Sequence, residues 1–159
     1  MDQSTPIDQL SKLLPHVKNN DVVIGSRGRG RSKFAWYRQL GSVVFMAFRK
    51  SLILPEINDT QCGFKLFKTK LVKKAFPHLE FFSKEERTTG WKVTSYDVEL
   101  LHILKKMGAS IKEVRVKWEE RDKSVTKGGG LSKYARESKE MLMQIMRVKR
   151  NDMQGKYDL

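Results

Sequence analysis

The stretch DVELLHILKKMGASIKEVRVKW, residues 97–118, decides the expected fold of the chain. Its first half repeats apolar residues at intervals of three and four around Leu101, which is typical of an amphipathic helix. Asp97 takes the N-cap position of this helix, and Gly108 follows where a helix-ending glycine is common. The second half, residues 110–118, alternates apolar and polar residues and predicts a strand. A helix that leads directly into a strand is a building unit of α/β folds.

Helices and strands alternate on the N-terminal side of this unit as well. DVVIGSR, residues 21–27, predicts a short buried strand that ends in a glycine turn, and FKLFK, residues 64–68, predicts another strand. Further helices are expected at residues 5–14, 34–52, 70–76 and 131–149. This order predicts an α/β fold in which helices flank a mixed sheet of three or four strands.

The sequence also predicts how two of these helices begin and which face of a third is buried. Thr5 and Thr69 each stand where an N-cap residue is expected. In the second helix, one apolar face is expected, and it is formed by Tyr37, Leu40, Val44 and either Ala47 or Phe48.

The composition is that of a globular chain with a strong excess of positive charge. Of the 159 residues, 39% are hydrophobic, and 32 Lys and Arg against 18 Asp and Glu give a net charge of +14. That charge favours partners that carry phosphate, namely a phosphorylated substrate, an anionic membrane surface or nucleic acid. The single cysteine excludes an intramolecular disulfide, and the three histidines match no zinc spacing. No apolar run reaches the roughly 20 residues that cross a bilayer, so the sequence predicts no transmembrane segment.

A basic glycine loop, GSRGRGRSK at residues 25–33, follows the first predicted strand. Glycine lets a backbone approach a phosphate closely, and guanidinium groups such as that of Arg27 bind phosphate oxygens in pairs. The glycine spacing is not the dinucleotide-binding fingerprint. A phosphate site and an ordinary solvated loop are both open interpretations of this segment.

Polar residues are concentrated in INDTQCGFKLF, residues 57–67. One interpretation is a turn closed by the Asp59 side chain, with Cys62 as a small buried residue before the strand. The other is a ligand site at the strand edge that uses Asp59 and Gln61. Asp97 and Glu99 raise the same question, because acids stabilise a helix N-terminus, yet they could also face the same cleft as Asp59.

The last predicted helix is amphipathic and basic. Tyr134, Met141, Leu142 and Ile145 share one face, and many basic residues lie on the other. Such helices bind anionic membranes or nucleic acid. A surface helix whose apolar stripe packs on its own domain gives the same pattern, so both interpretations stay open.

Taken together, these segments resemble the C-terminal half of family 2 glycosyltransferases of the dolichyl-phosphate glucosyltransferase and dolichyl-phosphate mannose synthase type. The matching segments, in order, are STPIDQLSKLL, VVIGSR, WYRQLGS, INDTQCGFKLFK, YDVELLHILKKMG and IKEVRVKWEE. The resemblance implies a partial GT-A fold, the fold of nucleotide-diphospho-sugar transferases, without its N-terminal nucleotide-binding part. It assigns residues 1–127 to this domain and residues 128–159 to a glycine hinge followed by the basic C-terminal helix and a tail.

The activity implied by the resemblance is the inverting transfer of a hexose, glucose or mannose, from a nucleotide sugar to a polyprenyl (dolichyl) phosphate. The protein would act peripherally at the cytoplasmic face of a membrane with an anionic surface, and it would have no nucleic-acid partner. We expect the chain to be inactive alone and to need another chain that supplies the N-terminal half. The alternatives are a basic nucleic-acid-binding module that uses GRGRSK and the last helix, or an inactive scaffold remnant.

The resemblance also implies roles for single residues. The implied catalytic residues are Asp59, Gln61 and Asp97. The implied substrate-binding residues are Arg27, Arg38, Glu99, Trp118 and Lys123. Asp2 looks like the second acid of a metal-binding D-x-D motif whose first acid is absent from the chain. A divalent metal, Mg²⁺ or Mn²⁺, is therefore expected only if that first acid is supplied.

Overall fold

The computed structural model describes residues 4–28, 36–80, 96–119 and 131–158 of the chain. Within these ranges the strands are β1 (Val22–Ser26), β2 (Lys65–Phe67) and β3 (Ile111–Arg115). The α-helices are α1 (Leu10–Leu13), α2 (Trp36–Leu52), α3 (Thr69–Ala75), α4 (Tyr96–Lys106) and α5 (Leu131–Met153). Short 3-10 turns at Ile7–Gln9, Leu14–His16 and Phe76–His78 extend α1 and α3.

The described strands form one sheet with β1 at its centre, in the order β2-β1-β3. β1 runs antiparallel to β2, with Val23 opposite Leu66, and parallel to β3, with Ile24 opposite Glu113. The mixed α/β sheet predicted from the sequence is therefore confirmed. The finer assignment to a GT-A fold stays a prediction.

Successive residues of β1 point to opposite faces of the sheet, and both faces are covered. Val22 and Ile24 pack into the main core with buried side chains of α4 and α5. Val23 packs on the other face with Cys62 and Val116. Because the central strand is buried on both sides, it gives Arg27, the residue that follows it, a rigid support.

Gly25 allows a close approach between β1 and the segment before β2. A Cβ atom at this position would lie 3.1 Å from each of three atoms, which belong to Cys62, Phe64 and Val116. The backbone N–H of Gly25 also donates to the carbonyl oxygen of Phe64 at 2.8 Å. Glycine is therefore needed here for packing, whereas at Gly28 a positive φ of +64° favours it.

Helix α4 is the most deeply buried helix in the described ranges, since each residue from 98 to 104 is buried. It ends before Gly108, whose φ of +80° is the left-handed conformation expected of a helix-ending glycine. The helix and its glycine stop are as predicted, but Asp97 lies within the first turn because α4 begins at Tyr96. Asp97 is therefore not the N-cap that the sequence predicts.

The two other predicted N-caps are wrong as well. Pro6 occupies the N-cap of the first 3-10 turn, so Thr5 precedes the position at which it was expected. Thr69 is the first residue of α3, and Lys68 takes the N-cap without a side-chain hydrogen bond. Each helix is held in place by packing and neighbouring segments, so its start does not depend on a capping hydroxyl.

The predicted buried face of α2 is right at Phe48 and wrong at Val44 and Ala47, while the side chains of Tyr37 and Leu40 lie outside the described part of the structure. Val44 is 53% exposed and Ala47 is also exposed, whereas Phe45 and Phe48 pack against the main core. Arg49, on the same stripe, is only 1% exposed. The helix is thus oriented so that the Arg49 guanidinium reaches the segment that follows α2.

Helix α5 packs into the same core as α4, with Ile145 and Val148 fully buried. Tyr157 returns to this core beyond the end of the helix and is 2% exposed. Met141 and Leu142, predicted for the buried face, are half-buried. The predicted glycine hinge at residues 128–130 lies outside the described residues, so the proposed domain division stays a prediction.

The start of β1 is tied to the start of β3 by the Asp21 side chain. One carboxylate oxygen accepts hydrogen bonds from the backbone N–H and the hydroxyl of Ser110 at 2.9 and 2.8 Å, and the other accepts from Lys68 Nζ at 2.9 Å. The backbone hydrogen bond from Ser110 is the main cause that lowers the pKa of Asp21 to about 2.

We expect Asp21→Asn to destabilise the protein at neutral pH and to have a diminishing effect as the pH falls. Folding lowers the pKa of Asp21 from the usual value of about 3.9 to about 2. The stability contributed by its carboxylate is therefore fully present above about pH 4 and is lost as the pH falls through about 2. Urea unfolding of both proteins between pH 7 and pH 2 measures this effect, and a constant difference over that range would contradict it.

Candidate functional site

Arg27 and Asp59 form a two-pronged ion pair at the end of the central strand. Arg27 Nε and Nη2 each donate to one oxygen of the Asp59 carboxylate at 2.7 Å. The backbone N–H of Arg27 also donates to Asp59 Oδ2 at 3.0 Å. The side chains are 15% and 12% exposed, so the pair is largely shielded from water but still reachable. The structure thus brings together two residues that the sequence places 32 positions apart.

The Asp59 carboxylate offsets the cost of burying the Arg27 charge. Desolvation alone lowers the pKa of Arg27, but the hydrogen bonds and negative charge of Asp59 outweigh it, so the net pKa is raised above its usual value. Paired, planar contact with a carboxylate is also the geometry in which a guanidinium binds phosphate. Arg27, which is cationic like every arginine, thus already holds one oxyanion group, the Asp59 carboxylate.

The segment around Asp59 is both a turn and part of this cluster. Asp59 Oδ1 accepts a hydrogen bond from the backbone N–H of Gln61 at 3.2 Å, which closes an Asx-type turn. Cys62 is 1% exposed, and burial raises the pKa of its thiol. The Gln61 amide points toward α5, with Nε2 at 4.0 Å from the sulfur of Met141. The turn and ligand-site interpretations of this segment are thus compatible.

Trp118 lies beside the ion pair. Its ring centroid is 5.7 Å from the Arg27 guanidinium carbon, within range of a cation–π interaction. Trp118 is half-buried, and its ring lies over one side of the Arg27 guanidinium. The structure places Trp118 next to Arg27, and its substrate-binding role stays a prediction.

A second ion pair neighbours the first one. Lys65 Nζ donates to Asp97 Oδ1 at 2.8 Å, and the Lys65 side chain is only 4% exposed. The charge of Asp97 also acts on Arg27, so the two pairs belong to one cluster. We call Arg27, Asp59, Lys65 and Asp97 the ion-pair cluster. Its two cations and two carboxylates sum to zero charge.

Glu99 is not brought to this cluster. Its carboxylate is fully buried and accepts hydrogen bonds from Arg147 Nη2 at 3.0 Å, the Tyr157 hydroxyl at 2.8 Å and the backbone N–H of Glu80 at 3.0 Å. Residues two positions apart on a helix face different sides, so Asp97 and Glu99 serve different neighbourhoods. In this position Glu99 ties α4 to α5 and to the C-terminal segment.

Three further residues named from the sequence cannot be placed as side chains. Arg38 lies in α2, but its side chain is outside the described part of the structure, as are Asp2 and Lys123 entirely. Beyond Gly28, the basic loop at residues 29–33 is also outside it. The roles predicted for these residues stay predictions.

Comparison with curated proteins finds several relatives with one activity in their names. The chain is 32% identical to the dolichyl-phosphate beta-glucosyltransferase of Dictyostelium discoideum over 124 residues, which is 74% of this chain and 35% of the relative. For the Drosophila melanogaster protein of the same name the identity is 32% over 119 residues, which is 72% of this chain and 33% of the relative. A Trichomonas vaginalis protein of that name is 31% identical over 141 residues, with 84% and 41% covered.

The chain belongs to the dolichyl-phosphate glucosyltransferase family. It spans 33–41% of the length of these three relatives. Searches against family models and against solved structures gave no match. Membership of this glycosyltransferase family confirms the resemblance recognised in the sequence. Within the described residues, no helix has the length and apolar character needed to cross a membrane.

A divalent metal is implied by the family resemblance, and the described residues do not fit one. Among them, no group of three or more His, Cys, Asp or Glu side chains could hold a metal ion. Both Asp59 oxygens contact the Arg27 guanidinium, and Asp97 is paired with Lys65. A metal held by Asp2 therefore stays a prediction, and no chemical step below is assigned to it.

Sequence reasoning missed two residues that hold the Asp59 segment in place. Arg49 donates hydrogen bonds to the carbonyl oxygens of Leu54, Ile57 and Asn58. Glu113 accepts hydrogen bonds on the other side of this segment, from Asn58 and Asp59. In the sequence, Arg49 could have been noticed as a charged residue on the apolar stripe of α2. Glu113 could have been noticed as an acid in the middle of a predicted strand.

We expect Arg49→Met to destabilise the protein by about 3 kcal/mol, because it leaves three carbonyl oxygens without their charged donor. The matched control is Arg150→Met, since Arg150 is exposed on α5 and its loss should change stability by less than about 0.5 kcal/mol. Urea unfolding of the two variants measures both effects. Equal stability of the two variants would show that the buried guanidinium is not needed.

Proposed function

We propose that this chain takes part in the transfer of glucose from a nucleotide sugar to dolichyl phosphate, as part of a glucosyltransferase. The names of its relatives support the acceptor and the sugar. The observation that carries the proposal is the Arg27–Asp59 pair, held at 2.7 Å beside Trp118 at the end of the central strand. A shielded cation of this kind suits a phosphorylated substrate.

The reaction needs little acid–base catalysis, but it needs strong stabilisation of negative charge. An oxygen of the acceptor phosphate attacks the anomeric carbon, and the bond from that carbon to the diphosphate breaks with inversion. The electron pair of that bond goes to the departing nucleoside diphosphate. Because the acceptor oxygen is already anionic, a strong general base is not obligatory. The main requirement is to hold two anions together, which a fixed guanidinium supports.

Arg27 is the residue that we assign to phosphate binding. Asp59 engages its Nε and Nη2 atoms, so a phosphate competes with Asp59 for these donors or shares the guanidinium with it. We therefore assign Asp59 to orienting Arg27, and Trp118 to excluding water from one side of it.

The proposal includes peripheral association with the anionic cytoplasmic face of a membrane. The net charge of +14 supports attraction to anionic lipids. Exposed apolar side chains on two helices could enter the interface, and they are Val43, Val44, Met143 and Met146. The nucleic-acid-binding alternative rests on the same charge and has no other observation in its favour.

The activity test uses the chain alone and a chimera in which it replaces the matching part of the Dictyostelium discoideum relative. Each is incubated with a nucleoside diphosphate glucose or mannose, a short polyprenyl phosphate and Mg²⁺ or Mn²⁺. We expect the chimera to form the glucosyl lipid, with glucose preferred to mannose. A chimera that binds both substrates but forms no sugar lipid would overturn the proposed function.

In this chimera, we expect Asp59→Asn and Arg27→Gln each to lower kcat/KM about 100-fold, because a misplaced guanidinium no longer holds the phosphate in line. The matched controls are Asp158→Asn, whose side chain is 65% exposed, and Arg150→Gln on the exposed side of α5. Both controls should retain the activity of the unsubstituted chimera. Full activity of Asp59→Asn, with an unchanged urea midpoint, would remove Asp59 from the mechanism.

A further inference from the structure

We propose that Glu113 is a positioning residue that sets the Arg27–Asp59 pair by holding the backbone on which Asp59 is carried. It does so from β3, a strand that contributes no other carboxylate within Ile111–Arg115. The expected effect of Glu113 on sugar transfer rests on the proposed function. Its expected effect on the position of Arg27 and Asp59 rests on the geometry alone.

The Glu113 carboxylate is occupied by the segment that leads into Asp59. Oε1 accepts the backbone N–H of Asp59 at 2.8 Å. Oε2 accepts the backbone N–H of Asn58 at 3.0 Å and its side-chain amide at 2.8 Å. One carboxylate thus accepts hydrogen bonds from two consecutive peptide N–H groups. These groups lie in a short connection outside the sheet, where no neighbouring strand supplies carbonyl acceptors for them.

Arg49 binds the same peptide groups from the opposite side. Its guanidinium donates to the carbonyl oxygens of Ile57 and Asn58, whereas Glu113 receives N–H groups from Asn58 and Asp59. The segment is therefore fixed at both its donors and its acceptors. A peptide that is held in this way has little freedom to rotate, so the direction of the Asp59 side chain is set.

The fold places Glu113 for this task. In the parallel pairing of β1 with β3, Glu113 lies opposite Ile24, three residues before Arg27. The same pair of strands therefore carries the arginine at its end and the carboxylate that fixes the partner of that arginine. A residue on a paired strand is held more firmly than one on a loop.

The positions of the charges agree with this role. Burial lowers the pKa of Arg49, and the carboxylates of Glu113 and Asp59 oppose that effect. Removing the Glu113 charge thus weakens the support of Arg49 as well as the two peptide contacts. Both consequences reach Arg27 through Asp59, because Glu113 itself contacts the segment and not the guanidinium in the described hydrogen bonds.

The test compares Glu113→Gln with Glu56→Gln in the full chain. The glutamine has the shape of glutamate but only one acceptor oxygen, so it cannot receive both peptide N–H groups as the carboxylate does. Glu56 is the matched control because its side chain is 72% exposed and pairs with Lys105. The readout is the ¹⁵N-detected signal of the Arg27 Nε–H group, assigned with Arg27→Lys, and its rate of hydrogen exchange with water.

We expect Glu113→Gln to speed exchange of the Arg27 Nε–H about tenfold, the effect of loosening roughly one charge-assisted hydrogen bond. Glu56→Gln should leave the rate unchanged. An unchanged rate in Glu113→Gln would overturn the inference. If Glu113→Gln does not fold, Glu113→Asp replaces it, since the shorter acid keeps the charge but cannot reach both peptides, and the same two outcomes decide.

A double-mutant cycle in the chimera separates positioning from general stability. If Glu113 acts through Asp59, Glu113→Gln lowers kcat/KM about tenfold in the unsubstituted chimera and has no further effect in the Asp59→Asn background. Losses that simply add would overturn action through Asp59. An unsubstituted chimera that binds both substrates but has no transferase activity would instead refute the proposed function, and the Arg27 exchange rates would still decide the role of Glu113.

Discussion

The ion pair between Arg27 and Asp59 fixes the geometry where two neighbouring segments meet. One segment leaves the central strand β1 and the other leads into β2, and the backbone N–H of Arg27 also donates to the same carboxylate. Asp59 uses one of its oxygens to close its own turn at Gln61 as well. A single side chain thus fixes a turn, a strand end and the orientation of a guanidinium. The rest of the cluster is arranged around that contact, with Trp118 beside Arg27 and the Lys65–Asp97 pair nearby.

The overall charge of the chain and the charge of this cluster are different matters. The chain carries +14, yet each buried cation of the cluster has an acidic partner. This pairing follows from the cost of leaving a charge unpaired in a poorly hydrated place. Among the described cations outside the cluster, several such as Lys105 and Arg150 are exposed, where water and counterions screen their charge. Net charge therefore indicates the class of partner, whereas the site depends on which few charges are shielded and oriented.

Much of the fold follows from local patterns in the sequence. The buried run VVIGS, the long apolar helix α4 and its glycine stop gave strong local signals, and the mixed sheet followed from their order. Capping was less predictable, because Thr5 and Thr69 have the right chemistry but packing determined where the helices begin. The buried face of α2 was predicted correctly at Phe48 but wrongly at Val44 and Ala47. Arg49 turns toward carbonyl oxygens of the segment just after the helix, a contact that helical spacing does not reveal.

The site was predictable in part. Asp59 and Arg27 stood out as polar residues next to strands, and the structure places them in contact. Glu113 was missed because the residues that it supports lie 54 and 55 positions before it in the sequence. Arg49 was missed because the segment that it binds begins only after its own helix, α2, has ended. Glu99 had the same local signal as Asp97 but faces another part of the core, where Arg147 and Tyr157 neutralise and solvate it. Two acids in one helical turn thus have unrelated tasks.

The burial of Cys62 gives the protein a built-in reporter. It is the one cysteine of the sequence, it is 1% exposed, and burial raises the pKa of its thiol. A thiol reagent can reach it only when the packing between Gly25 and Val116 opens. Because Cys62 follows Asp59 by three residues, its rate of labelling measures how often the structure around Asp59 opens locally, and no other probe has to be introduced.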